Sequence, residues 1–93
     1  MQVSLAETKF TGTVSDDGAV FETTEISLVA MLQCLGHKVT GVNKTHSKAR
    51  ASFMLDNCGQ LQRDVLIWLN NEPVKIRTRE FLNNVRNLKG MVG

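Results

Sequence analysis

The stretch that decides the fold is Glu25-Ile-Ser-Leu-Val-Ala-Met-Leu-Gln-Cys-Leu-Gly36. Leu28, Met31, Leu32 and Leu35 fall at i, i+3, i+4 and i+7, the spacing of one helix face. Ile26, Val29 and Ala30 widen that face until only Glu25, Ser27 and Gln33 stay polar. A helix apolar nearly all round belongs inside something. Thr23 or Thr24 is expected to cap it, because a hydroxyl accepts from the free first-turn N–H groups, with Glu25 at the positive dipole end. Gly36 is expected to end it in a left-handed conformation.

Working outward on the C-terminal side, residues 37–45 and 48–55 read as two strands of a hairpin joined through Thr45-His-Ser-Lys48. In the second strand Ala49, Ala51, Phe53 and Leu55 alternate with Lys48, Arg50, Ser52 and Met54, so an apolar face opposes a more polar one. Asn57, followed by Gln60, resembles a capping box. Cys58, Leu61, Val65, Trp68 and Leu69 then share a helical face, and the polar Gln60-Leu-Gln-Arg-Asp64 segment argues against a strand there. Asn70-Asn-Glu-Pro73 breaks that helix, since Pro pushes its predecessor out of the α region. Val74-Lys-Ile76 suits a short edge strand. Thr78 is expected to cap a last helix with Phe81, Val85, Leu88 and Val92 as its apolar seam.

On the N-terminal side the alternation is of period two, with Val3 and Leu5, then Phe10, Gly12 and Val14, on one face. Ser15-Asp-Asp-Gly18 is a turn signal, because Asp tolerates and Gly prefers positive φ. The predicted order is a β-rich arm, α, β, β, α, short β, α. That is a small single-domain α+β protein, an antiparallel hairpin or sheet with about three helices. Residues 1–20 form an N-terminal extended arm or short strands and residues 21–93 the domain.

At 93 residues the chain is one domain, and its 42% apolar content excludes a disordered one. The longest apolar runs, residues 28–32 and 65–69, are far short of the ~20 residues that span a bilayer. Two Cys make no disulfide scaffold, and no basic and apolar leader follows Met1-Gln2. Reduced thiols in a cytoplasmic setting are therefore expected. The net charge of +2 conceals a division. Residues 1–36 carry one Lys against five acids, a balance of −4, while residues 37–93 carry ten bases against four acids, a balance of +6.

Nine of those ten bases lie in two places. On the last helix Arg79, Asn83, Arg86 and Asn87 oppose the apolar seam, with Lys89 close by and Lys75 and Arg77 upstream. Arg and Asn carry the forked donors that match guanine and adenine edges. Any surface helix also shows some Arg and Asn to water. The gap from 70 to 77 is too long for the turn of a helix-turn-helix. The second cluster is Lys38, Lys44, Lys48 and Arg50 on the hairpin, where Lys can contact phosphate or simply protect a strand edge from unwanted pairing. The chain has no Tyr to stack bases, and Phe53 belongs to the apolar face, which weighs against a single-strand binder.

Other chemistry has less support. Cys34, His37, His46 and Cys58 are a chemically valid zinc set, but beyond the first pair their spacing fits no known site, and the two thiols suit small apolar positions inside helices. No Gly-rich phosphate loop is present. Ser47 beside His46 lacks an orienting acid, Asp16-Asp17 read as solvated turn formers, and His37 or His46 would serve as a general base only as nearly any histidine can. No catalytic residue, metal or cofactor is expected, and no small-molecule ligand is indicated.

The pieces Phe21-Glu-Thr-Thr24 before an apolar helix with Ala30, then Leu35-Gly36-His37, Ala51-Ser-Phe53 and Val85-Arg-Asn-Leu-Lys89 resemble a group of short uncharacterised bacterial and phage proteins, a domain of unknown function. The resemblance covers residues 21–93, about three quarters of the chain. It implies one domain and a bacterial, phage or mobile-element setting, and no site residue is carried over from it. The first expectation for function is a non-catalytic interaction module that self-associates as a homodimer. Its interface would use Met31, Leu32, Leu35 and Trp68, because a chain this small has few neighbours to cover so apolar a helix. The second is a nucleic-acid-binding regulator using Lys38, Lys44, Arg50, Arg77, Arg79, Asn83, Arg86 and Lys89.

Overall fold

The computed structural model describes residues 12–44 and 51–92. The alternation at Val3, Leu5 and Phe10, the hairpin connection with His46, and the side chains of Lys48 and Arg50 lie outside these residues. The element order is β1 (Thr13–Val14), β2 (Val20–Thr23), α1 (Ile26–Cys34), β3 (Val39–Asn43), β4 (Ser52–Asp56), α2 (Gly59–Leu69) and α3 (Thr78–Val92). The strands form one antiparallel sheet in the order β1-β2-β4-β3. The described residues thus form a small α+β domain of three helices on a four-stranded sheet. β1 comes from the stretch read as an arm and pairs with β2 as a strand of the same sheet.

α1 confirms its reading. Five consecutive residues, Leu28 to Leu32, are 0–3% exposed. Such burial means cover on every side, and three elements supply it. Phe21, Phe53 and Leu55 come from the sheet, Leu61 and Val65 from α2, and Leu88 from α3. The register explains the sheet's share, because Phe21 pairs with Leu55 and Val42 with Phe53, placing apolar side chains on one face. On the other face Glu22 accepts hydrogen bonds from Ser52 Oγ and from Asn43 Nδ2. The pattern-based expectation for 48–55 put Ser52 on a polar face, and Ser52 is nevertheless buried.

The caps differ from expectation. The N-cap of α1 is Glu25, without a side-chain cap bond, and Thr23 Oγ1 instead accepts the Glu25 N–H at 3.1 Å. Gly36 does take the left-handed conformation, φ +102°, and the His37 N–H returns to the Leu32 carbonyl at 3.0 Å. The N-cap of α2 is Cys58, whose Sγ accepts from the Leu61 N–H at 3.4 Å. Asn57 does not form the capping box. Its amide donates to the Gly18 carbonyl, and its oxygen accepts from Gln62. Cys58 is accordingly exposed, not inside the helix face. Thr78 is the first helical residue of α3, and the carbonyl of Arg77 takes the Phe81 N–H.

The turn after β1 forms as its residues require. Gly18 has φ +74°, its N–H bonds to the Ser15 carbonyl, and Asp17 accepts from the Ser15 hydroxyl and the Ala19 N–H. Val74 and Ile76 form no strand. Both are half-buried and pack on the core from the connection between α2 and α3, so packing rather than pairing accounts for their apolar character.

This distribution of burial makes a stability prediction. Leu32→Ala should cost about 3 kcal/mol, the range for removing a fully buried leucine. Leu82, 54% exposed, should tolerate alanine within about 0.5 kcal/mol. Urea titrations that gave the two variants equal midpoints would contradict this core.

Candidate functional site

α3 is held by a narrow side and presents a wide one. Leu88 is buried, and Phe81 and Val85 pack against the core beside it. Between them Asn84 Nδ2 donates to the Ala30 carbonyl at 3.3 Å and lies 3.5 Å from Cys34 Sγ, joining α3 to α1. At ~100° per residue these inward positions occupy only about 100° of the helix circumference. Arg79, Glu80, Leu82, Asn83, Arg86, Asn87, Lys89, Gly90 and Met91 are all exposed, an arc of about 200° by the same geometry. The middle of that arc is one line: Arg79, Asn83, Arg86, Gly90.

Its charge is uncompensated. Among the described residues neither Arg77, Arg79, Arg86 nor Lys89 has a carboxylate at ion-pair distance. Glu80 is the acid on the helix, and it lies at one flank. There an open cleft of about 510 Å³ is lined by Cys34, Lys75, Ile76, Arg77 and Glu80. The Cys34 thiol in it is pushed above its ordinary value by burial and then by the Glu80 charge, partly offset by the Asn84 hydrogen bond. It is therefore a neutral thiol near pH 7, poorly suited to attack as a nucleophile.

The other basic residues are dispersed. Lys38 and Lys44 are exposed and flank the two ends of β3, an edge strand, where Lys suits edge protection. Arg50 lies outside the described residues. The expected site residues that the fold does bring together are Arg77, Arg79, Asn83, Arg86 and Lys89. α2 and α3 are separated by residues 70–77, with Asn71 at φ +53°, so they do not form a helix-turn-helix.

The expected subunit contact changes character. Met31 and Leu32 are 3% and 0% exposed, covered by their own chain, so the ground for placing them at an interface is gone. Leu35 and Trp68 remain half-buried against the core. Met31 and Trp68 both line a second cleft of about 220 Å³ with Ile67, Asn71, Glu72, Val74, Ile76 and Phe81.

The residues considered for catalysis and metal binding are accounted for differently. His37 Nε2 lies 2.6 Å from Asp64 Oδ2, with side-chain exposures of 12% and 6%. Gln60 donates to the other Asp64 oxygen at 3.1 Å. This pair ties the end of α1 to α2, and among the described residues no hydroxyl or thiol hydrogen-bonds His37. Asp64 ends the polar 60–64 segment of the sequence, yet it is buried. Its spacing, three after Leu61 and four before Trp68, was the available signal. No three His, Cys, Asp or Glu are grouped to hold a metal among the described residues. Asp17, fully exposed, has its carboxyl held below the usual value by the Ser15 hydroxyl and then by the Ala19 N–H, which is the work of a turn former. No helix among the described residues is long and apolar enough to cross a membrane.

Residues 18–93 match the sequence profile of Domain of unknown function (DUF5659), and the chain belongs to that family. The match takes in β2 and every later element. No curated protein and no solved structure matches the chain.

The His37–Asp64 pair is testable on its own. Asp64→Ala leaves the mostly buried His37 without its partner and should lower unfolding free energy by about 3 kcal/mol. Combined with His37→Ala it should cost less than the sum of the single losses by about 1 kcal/mol or more. Strict additivity in denaturant titrations at neutral pH would show that the two side chains act independently.

Proposed function

We propose that this protein is a non-catalytic nucleic-acid-binding module whose contact surface is the outer arc of α3. The observation that carries the reading is the unpaired cation line on that arc. Arg79 and Arg86, with Arg77 before them and Lys89 beside them, face solvent from a helix whose packing is done entirely by its other side. Cations in that position attract a phosphate backbone, and each phosphate they neutralise releases a counterion. Asn83 and Asn87 add donors and acceptors without adding opposing charge. A cytoplasmic setting, bacterial or phage, suits the two free thiols at Cys34 and Cys58.

The test is ionic strength. Binding to heparin and to duplex DNA should fall steeply with salt. The Arg79→Ala/Arg86→Ala variant should lower the slope of log K against log salt by about 2, one unit per lost phosphate contact. Both side chains are exposed, so thermal unfolding should be almost unchanged. Absence of any retention at low salt removes the reading.

A second reading, self-association as a homodimer, is favoured by one further observation: Leu66 on α2 and Leu82 on α3 are each 54% exposed. Large apolar side chains in contiguous patches mark protein contacts, although single ones are ordinary. With Met31 and Leu32 covered, the contact would draw on Leu35, Leu66, Trp68 and Leu82. Sedimentation equilibrium at micromolar concentration should then give twice the 10.3 kDa chain mass, and a monomer throughout would end this second reading.

A further inference from the structure

The outer arc of α3 also narrows the kind of nucleic acid. We propose that α3 enters the major groove of duplex DNA. This inference rests on the reading of α3 as a nucleic-acid surface and adds a commitment to one form of it.

The width of α3 suits this groove. The major groove of B-form DNA is about 12 Å wide and admits one α-helix, which is about 10–12 Å across with its side chains. A helix lying flush in a protein surface cannot be inserted, because its neighbours meet the phosphate ridges first. α3 is seated through only about 100° of its circumference and exposed over roughly 200°, so more than half of its girth is open to a partner. The deep, narrow major groove of an RNA duplex excludes such a helix.

The side chains along the outermost line follow an order that suits base edges. Arg79, Asn83 and Arg86 follow one another at i, i+4 and i+7, covering about 10 Å of helix axis, close to three base-pair steps. Arg pairs bidentately with guanine O6 and N7, and Asn with adenine N6 and N7, so the line alternates the two fitting side chains. Lys89 on one flank and Arg77 ahead of the helix are placed for the phosphates, and exposed Leu82 supplies an apolar group of the kind that meets a thymine methyl. Gly90 continues the same line at i+11. A Cβ there would meet nothing within 4 Å, so no contact within the chain calls for a glycine. Glycine weakens a helix interior, and what it leaves here is bare backbone, open to close approach by a partner.

The described aromatic residues favour a duplex over a single strand. Sequence-tolerant single-strand binders stack bases on exposed aromatic rings. Among the described residues Phe21 and Phe53 are buried, and Phe81 and Trp68 pack against the core. None is free to stack.

The experiment uses the full chain and fluorescence anisotropy. The probes are a GC-rich DNA duplex of about 20 base pairs, its separate strands, an RNA duplex of the same sequence, and the same DNA duplex with 7-deazaguanine in place of guanine. The last probe loses the N7 acceptor of the major groove while its minor groove and phosphates are unchanged. At low salt the DNA duplex should bind about tenfold or more tighter than the strands or the RNA duplex. The 7-deazaguanine duplex should bind about fivefold or more weaker, and Arg79→Ala/Arg86→Ala should abolish that difference. Lys89→Ala should weaken both DNA duplexes equally. Equal binding to single strands or RNA, or indifference to 7-deazaguanine, overturns the major-groove placement while leaving α3 a nucleic-acid surface. No binding to any probe overturns that surface as well.

Discussion

The complete burial of α1 governs this structure. A nine-residue helix with five successive residues excluded from water has no solvent side over that span, so the sheet, α2 and α3 must all turn their apolar faces toward it. Each fully buried leucine among them is stabilised by about 1.5–3 kcal/mol relative to exposure, before entropy is counted. In a chain of 93 residues that demand uses nearly all the apolar stripes available. What the core does not use is therefore informative, and the largest such surface on a helix is the outer arc of α3.

Covering α1 also explains the polar contacts at its edges. α2 and α3 each also reach the α1 region through a polar contact. Asn84 meets the Ala30 carbonyl, and Asp64 meets His37 just beyond the end of α1. Neither contact resembles a reactive site, because each is satisfied within the protein and neither opens onto an adjacent nucleophile. Both fix the angle at which a helix lies on α1, which is a geometric requirement that leucine and valine alone meet poorly.

The same constraint sets what was legible in the chain. α1 could be read from its apolar circumference, α3 from its four-point seam, and β4 from the alternation of Ala51, Phe53 and Leu55, because burial imposes a period on residue type. Residues that act through one atom carry no period. Cys58 caps α2 with a sulfur where Asn57 has the commoner capping chemistry, and Asn57 is drawn away by a carbonyl at Gly18 that is remote in sequence. Asp64 stands among polar neighbours in the sequence, although its helical spacing puts it on the buried stripe. Val74 and Ile76 have strand composition but pair with no strand and pack on the core instead, so tertiary packing overrides local propensity. For the candidate site, the cations of α3 were legible as a helix face. Their lack of carboxylate partners, and the width of the exposed arc, exist only after folding.

That last difference bears on the division of charge along the chain. An acidic N-terminal third and a basic remainder admit two arrangements: mutual neutralisation, or separation. Two of the described acids of the first third are engaged locally or on the sheet. Asp17 is held in its own turn by Ser15 and Ala19, and Glu22 accepts from Ser52 and Asn43 on the face away from the helix core. α3 meanwhile is attached through Phe81, Asn84, Val85 and Leu88, none of them charged. A helix secured by apolar contacts and one amide needs no charge for its own stability. Its arginines are then free to carry a field outward, and a small chain with nearly balanced total charge can still present one strongly cationic surface.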